Sequence, residues 1–479
     1  MENYLIVFII IYLSFLMMYA YKASKNNVSQ NASTYLFGDG GFGIFLSFLG
    51  ISATLFSTFT LQGMPSFFKN HGVGAWVFLG VTDVCLASIL LYFGLRMRCF
   101  ARSMASSIGC NKANNLTEIF KQAQLSYWTR VFFVLAITIF IIPYITIQVK
   151  GASVLFQSAL PIGETHLVWS IIIITIMLLY SFFGGIRAIF ITDAVQGVLL
   201  LIVAWAVAVF AIQGAGSITN LFNDASQASQ ALMSTPGPAG ILTWQFLLIS
   251  FISISVMPYV QPQLATRVFI AKSDKTFVIS TMALGVFALL VIIPTVFIGI
   301  RGASIVGENP NFLVNLLNQD VPAGIHALFI IGVAAAAMST SDSQLMAVGT
   351  EWGSALTDQD IQASDNARTK VKAVSLIVAI IALLLAQTSF KSLVLFAINS
   401  FIGTSMLLPI VIAASVKSII RRNILIYSSF ISVCLFLFSL FGVIPNNYFD
   451  MRLELLVYFV LLLLIIACKG LRIPKEQME

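Results

Sequence analysis

The chain has 479 residues, 59% hydrophobic and only 9% charged, with a formal net charge of +7 and a mean hydropathy of +0.95. Soluble domains carry roughly a quarter charged residues, so the composition excludes a soluble enzyme, a disordered chain and a secreted disulfide scaffold. A membrane-crossing helix needs roughly 20 apolar residues, and the chain holds enough for about thirteen, which predicts an all-α polytopic membrane protein seated in the lipid bilayer.

In chain order the apolar runs fall at about 3–21, 42–64, 74–97, 127–149, 165–186, 189–213, 244–266, 276–300, 324–349, 371–388, 391–415, 423–444 and 451–468. The first run lacks a basic leader and an A-x-A-like cleavage site, so it reads as a retained span rather than a signal peptide. Only the turn around Gly184-Gly185 separates the fifth run from the sixth. The stretches 112–124 and 309–318 read as short interfacial helices. Thirteen spans put the termini on opposite sides. With the N-terminus outside, the outer segments hold Lys69, Lys150, Arg301, Lys391 and Arg452, and the other 21 of the 26 Lys and Arg lie inside. That bias is the positive-inside signature. It predicts a multi-pass protein of the cell (inner) membrane, N-terminus outside and C-terminus cytoplasmic. The basic residues then act as interfacial anchors, and the net charge calls for no nucleic-acid partner. The sequons beginning at Asn27, Asn31 and Asn115 fall inside by this topology and read as chance matches. The five cysteines (Cys85, Cys99, Cys110, Cys434, Cys468) are scattered and read as reduced thiols.

The hydrophilic stretches are too short to fold as catalytic domains. There is no GxxxxGK[ST] loop, no HExxH and no Cys/His cluster. His71, His166 and His326 each fall near an outer span end. The chain therefore reads as neither an enzyme nor a cofactor protein, and movement of a solute down a gradient is the natural class.

Ionisable residues inside spans are expensive and are functional candidates by default. Asp83, Asp193 and Asp342 qualify, whereas Arg130, Arg187 and Arg267 lie at inner span ends, where snorkelling explains them. In span nine, Ala336, Ser339, Thr340 and Ser343 are spaced i, i+3, i+4, i+7 and form one small, hydroxyl-bearing face. Such a face suits close helix packing, and it equally suits a dehydrated Na+, whose remaining oxygens would come from carbonyls of an unwound helix. Span two offers that interruption in a Ser/Thr-rich run ending in Gly63-Met64-Pro65. Span seven offers another at Met257-Pro258-Tyr259-Val260-Gln261-Pro262. Interrupted helices at matching places in two halves point to a transporter site. At a 1.5 Å rise per residue, Ala53 and Phe56 lie roughly 18–22 Å from one surface and Ala336 and Ser339 roughly 20–24 Å from the other, so the two groups meet near mid-membrane.

At these residues the chain resembles the sodium:solute symporter family, whose members carry proline, pantothenate, sugars, sialic acid or monocarboxylates. The likeness runs through Ala53, Ser57, Gly63 and Pro65; through Gly184, Gly185, Thr192, Asp193 and Gln196; through Gln261, Pro262 and Arg267; and through Ala336 to Leu345. The resemblance implies a single transporter domain over 1–479. Its core is a five-plus-five inverted repeat (42–213 and 244–415), with the first span and the last two (423–468) outside it. It implies a sodium site from the carbonyls of Ala53, Phe56 and Ala336 and the hydroxyls of Ser339 and Thr340, and a second sodium or coupling site at Asp193, Asp342 and Ser343. Gln263 replaces the proline carriers' His, Leu55 stands where they carry Asp, and Asp83 stands where a neutral residue is expected.

The reading is a Na+-coupled symporter working by alternating access, with no cofactor beyond Na+ as coupling ion. Its partners are Na+ and a small-molecule solute, an amino acid such as proline best, and no obligate protein partner is evident. The expected solute-lining residues are Ser57, Thr60, Met64, Val81, Asp83, Tyr144, Met257, Tyr259 and Asn399. A symporter for a monocarboxylate, pantothenate or a sugar is the near alternative. A transporter-like solute sensor is the distant one, and the roughly ten residues after the last span leave no output domain to report through.

Overall fold

The computed structural model describes residues 1–27, 32–38, 41–109, 111–306, 312–364, 366–389 and 393–468. Cys110, two of the sequons and part of 309–318 extend outside these residues, and Cys85, Cys99, Cys434 and Cys468 are free thiols. The described chain is almost wholly helical: α1 (Glu2–Asn27), α2 (Ala32–Phe37), α3 (Ile44–Leu55), α4 (Met64–His71), α5 (Thr82–Ile108), α6 (Leu116–Gln122), α7 (Tyr127–Ala159), α8 (Leu167–Gly214), α9 (Ile218–Ala228), α10 (Trp244–Val260), α11 (Pro262–Ile270), α12 (Asp274–Val306), α13 (Phe312–Asp320), α14 (Ala323–Ala355), α15 (Ala367–Ala386), α16 (Leu393–Ser405), α17 (Leu408–Ala413), α18 (Ile419–Leu440) and α19 (Leu453–Ala467). Among the described residues the only strands are the two of a short hairpin before α19, Asn447–Tyr448 and Met451–Arg452. Among the described residues nine helices are long and apolar enough to cross a membrane, and eleven spans result if two bent pairs each count as one. The thirteen apolar runs map onto fewer continuous helices because α8 carries two of them and α19 is short.

At 48 residues, α8 would measure about 72 Å if straight, more than twice the hydrocarbon thickness. It folds back at Gly185, which sits at φ 59°, ψ −162°. Only glycine takes this backbone readily, and a Cβ there would lie 2.7 Å from the Tyr35 carbonyl oxygen. Tyr180 and Asp193, on opposite sides of that turn, consequently reach one neighbourhood.

Two helices are broken. α3 and the segment Phe59–His71 meet at 52°, and α10 and α11 at 55°. The second break follows from proline: Gln261 precedes Pro262, is forced into extended backbone (φ −73°, ψ 120°), and Pro262 opens α11. The first break does not follow from Pro65. It lies at Phe56 (φ −95°, ψ 117°), ahead of Gly63-Met64-Pro65. Pro65 sits harmlessly in the first turn of α4, where its missing N–H is not needed. A π-helical turn, Phe59–Gly63, joins the break to α4.

α14 is the axis of the molecule. It is buried along almost its whole length, between α7, α8, α15 and α1. Its small residues permit that approach, since lipid supplies no hydrophobic drive between helices and packing must do it. Gly197 of α8 faces Ala53 of α3 so closely that a Cβ would stand 3.3 Å from the alanine's own.

Candidate functional site

The break in α3 frees carbonyls in an ordered way. In a continuous helix the amides of Ser57, Thr58, Phe59 and Thr60 would close on the carbonyls of Ala53, Thr54, Leu55 and Phe56. Here Ser57 N donates to Thr60 Oγ1 at 3.0 Å, Thr58 N to Gln148 Oε1 at 2.9 Å and Phe59 N to Ser57 Oγ at 3.2 Å. Thr60 N turns to the Ser57 carbonyl at 2.8 Å. All four carbonyls lose their helical donors, while the buried amides stay satisfied, as buried amides must be.

Two α14 hydroxyls meet those carbonyls. Ser339 Oγ donates to Ala53 O at 3.0 Å and also lies 3.1 Å from Ala336 O. Thr340 Oγ1 lies 3.3 Å from Thr54 O and 3.5 Å from Ala53 O. Ala53, Phe56, Ala336, Ser339 and Thr340 are all buried. Ala53 of span two and Ala336, Ser339 and Thr340 of span nine therefore meet, while the Phe56 carbonyl has no hydrogen bond with either hydroxyl.

Beside the break, Ser57 Oγ and Tyr144 OH are 3.4 Å apart. Thr60, Met64, Met257 and Tyr259 are buried, and the Tyr259 hydroxyl has no hydrogen-bond partner among the described residues. Asn399 is half-buried on α16. Val81 departs from expectation. It is 41% exposed, on the outward face it shares with Val77. The cause is a π-helical turn over Val77–Val81, which inserts a residue and rotates the register relative to an α-helical count. Gln148, which no sequence argument singled out, holds the Thr58 amide. It is the one amide side chain in the run 127–149, and that was its only signal.

The second constellation lies one turn further along both helices. Arg267 is 2% exposed, so it does not snorkel. Its guanidinium pairs with the Asp193 carboxylate, donates to Ser343 Oγ at 2.8 Å and, through Nε, to the Gly50 carbonyl at 2.9 Å. Tyr180 donates to Asp342, and Gln196 Nε2 donates to Tyr12 OH at 2.6 Å. α1 thus reaches the interior through Tyr12. One oxygen of each aspartate has no partner among the described residues. A fixed cation stands where the sequence suggested only acids and a hydroxyl, and it ties α3, α8 and α14 together.

Beyond this cluster the bundle is latched. Arg98, 2% exposed, donates to Asp274 at 2.7 Å and to the carbonyls of Val268 and Ala271 at 2.5 and 3.1 Å, which satisfies the end of α11. Lys112 Nζ donates to the Phe269 carbonyl at 2.6 Å. Glu351 of α14 accepts from the amides of Leu116 and Thr117 at 3.0 and 2.8 Å, so a buried carboxylate caps the N-terminus of α6. Arg130, also buried, pairs with Asp358 at 2.7 Å.

Known proteins share this architecture. A sodium/proline symporter of Staphylococcus aureus is 24% identical over 360 residues, 72% of this chain and 66% of that protein. The symporter of that name from S. aureus strain bovine RF122 / ET3-1 is 26% identical over 68% of this chain and 62% of its own length. The chain thus spans just under two thirds of these relatives. A sodium/pantothenate symporter of Haemophilus influenzae is 22% identical over 79% of this chain and 76% of its own. Among solved structures, a Na+-coupled sialic acid symporter in a substrate-bound outward-open state superposes with a TM-score of 0.75 at 18% identity, covering 98% of this chain and 96% of the other. A nucleobase-cation-symport-1 family transporter superposes with a TM-score of 0.54 at 16% identity, over 92% and 95%. These two likenesses concern the fold. The profile of the sodium:solute symporter family matches residues 35–422, and the chain belongs to that family of membrane transporters.

Proposed function

We propose that this chain is a Na+-coupled symporter that carries a small organic solute, best an amino acid such as proline, into the cell by alternating access. The observation that carries the reading is the meeting of the Ser339 and Thr340 hydroxyls with the carbonyls released at the Phe56 break. Na+ entering there would draw the Ala53, Phe56 and Ala336 carbonyls and both hydroxyls inward. It would take over the hydroxyl-to-carbonyl bonds and fasten α3 to α14. Solute would bind beside the same break, against Ser57, Thr60 and Tyr144, so that ion and solute stabilise one position of α3. That shared dependence is the coupling. The orientation supporting import has the N-terminus outside and the Arg98–Lys112 end cytoplasmic.

The energetics suffice. A tenfold Na+ gradient supplies about 1.4 kcal/mol, and 100 mV adds about 2.3 kcal/mol per charge. Together they sustain roughly 500-fold accumulation of a net-neutral solute per Na+ carried. The test is uptake of radiolabelled proline into proteoliposomes holding the full chain. An inward Na+ gradient should drive accumulation, and an equal K+ gradient should not. Equal uptake under both gradients overturns the reading.

A further inference from the structure

Asp83 opens the buried face of α5 and is 7% exposed. It makes no hydrogen bond and no ion pair with any described residue. Its level in the bundle is fixed by the packing of α5 against antiparallel α12. Phe277 lies against Gly94 and Gly285 against Ala87, one turn along α5 from Asp83. Continuing that register brings Asp83 opposite Ala288 and Leu289, beside Phe287, whose ring packs on Phe56 at the break, 5.7 Å between centroids. Tyr144, which lies 3.4 Å from Ser57, is the titratable group within electrostatic range of Asp83. Among the described residues no Lys, Arg or His joins it there. The π-helical turn immediately before Asp83 gives it this aim. Such turns in a helix concentrate at functional positions.

A protonated carboxyl kept for structure would donate to a carbonyl or hydroxyl, and Asp83 has no such acceptor. An ionised one in this setting is costly until a cation arrives. The other buried membrane acids are provided for: Asp193 by Arg267, Asp342 by Tyr180. Asp83, within electrostatic range of Tyr144 beside the break, has no such partner among the described residues. Resting on the symport reading above, we propose that Asp83 receives the positively charged nitrogen of the transported solute. The solute is then a protonated primary or secondary amine of the amino-acid kind, and anions without such a nitrogen, such as pantothenate and simple monocarboxylates, are rejected by the same charge.

The experiment is uptake by the full chain in proteoliposomes of four labelled probes: proline, alanine, pantothenate and lactate. It is run with and without Na+, for the unaltered chain, Asp83→Asn and Asp83→Glu. The unaltered chain should take up an amine-bearing probe and exclude pantothenate and lactate. Asp83→Asn should raise the half-saturation for the amine at least tenfold, and Asp83→Glu, which keeps the charge, should recover part of the loss. Na+-induced thermal stabilisation of Asp83→Asn reports that the variant is folded. Unchanged half-saturation in Asp83→Asn, uptake of an anionic probe in preference to both amines, or failure of the unaltered chain to take up either amine overturns the proposal. Amine uptake that depends on Asp83 but not on Na+ would instead overturn the sodium coupling and leave this assignment standing.

Discussion

Ser339 Oγ donates to Ala53 O at 3.0 Å, across 286 positions of sequence. The bond joins α14, buried along almost its whole length, to α3, which breaks beside it. Replacing Ser339 and Thr340 together by Ala removes both hydroxyls from the freed carbonyls. The Na+ concentration for half-maximal uptake should then rise tenfold or more, about 1.4 kcal/mol. Uptake against Na+ concentration, in protein shown to be folded, decides it. An unchanged curve would remove these residues from the ion's path.

The Arg267–Asp193 pair gives a second prediction. Removing one partner of a buried pair leaves the other charge uncompensated, at a cost of about 3–5 kcal/mol. Arg267→Gln alone should lower the thermal midpoint sharply, and Arg267→Gln with Asp193→Asn should recover much of the loss. Arg267→Lys should recover little, because an ammonium cannot reach Asp193, Ser343 and the Gly50 carbonyl at once. A single variant as stable as the original would show that the pair does not hold the bundle.

The proposed orientation is checked by labelling. Gln227 on α9 and Gln359 after α14 are both exposed. In a cysteine-free background, a single cysteine at Gln227 should react with an impermeant thiol reagent from outside and one at Gln359 only after permeabilisation. The reverse pattern would invert the topology and turn import into export.

Lys112 makes the latch sensitive to pH. Burial, with Arg98 and Arg102 nearby, pushes its ammonium from the ordinary 10.5 down to about 8. Between those values the unfolded chain binds the proton that the folded chain has released. Stability therefore rises with pH through that window, since the fold no longer holds a desolvated charge. Lys112→Met should flatten the rise of the thermal midpoint between about pH 8 and 10. An equally steep rise in the variant would assign it to another group.

Much of the site was legible, because chemistry and period coincide in it. Hydroxyls three, four and seven residues beyond Ala336 marked one face of α14, and a Ser/Thr-rich run marked α3. What was not legible depended on partners far away in sequence. Gln148 captures the Thr58 amide from 90 positions off and so moves the break to Phe56, whereas the local signal was at Gly63 and Pro65. Val81 was misplaced because a π-turn is invisible to a count of 3.6 residues per turn. Arg267 was misjudged because its nearness to a span end says nothing about the carboxylate that another helix brings to it. The short helices expected within 112–124 and 309–318 are present as α6 and, over the described residues, α13.

The reversal at Gly185 bears on how the protein is made. With one residue turning two apolar segments, the ribosome delivers them with no hydrophilic pause between. The expected outcome is that the two segments insert together as a hairpin rather than one after the other. An epitope or glycan acceptor inserted at Gly184-Gly185 would therefore disturb biogenesis itself, before any transport is measured, whereas the same insertion in the exposed turn after α18 would not.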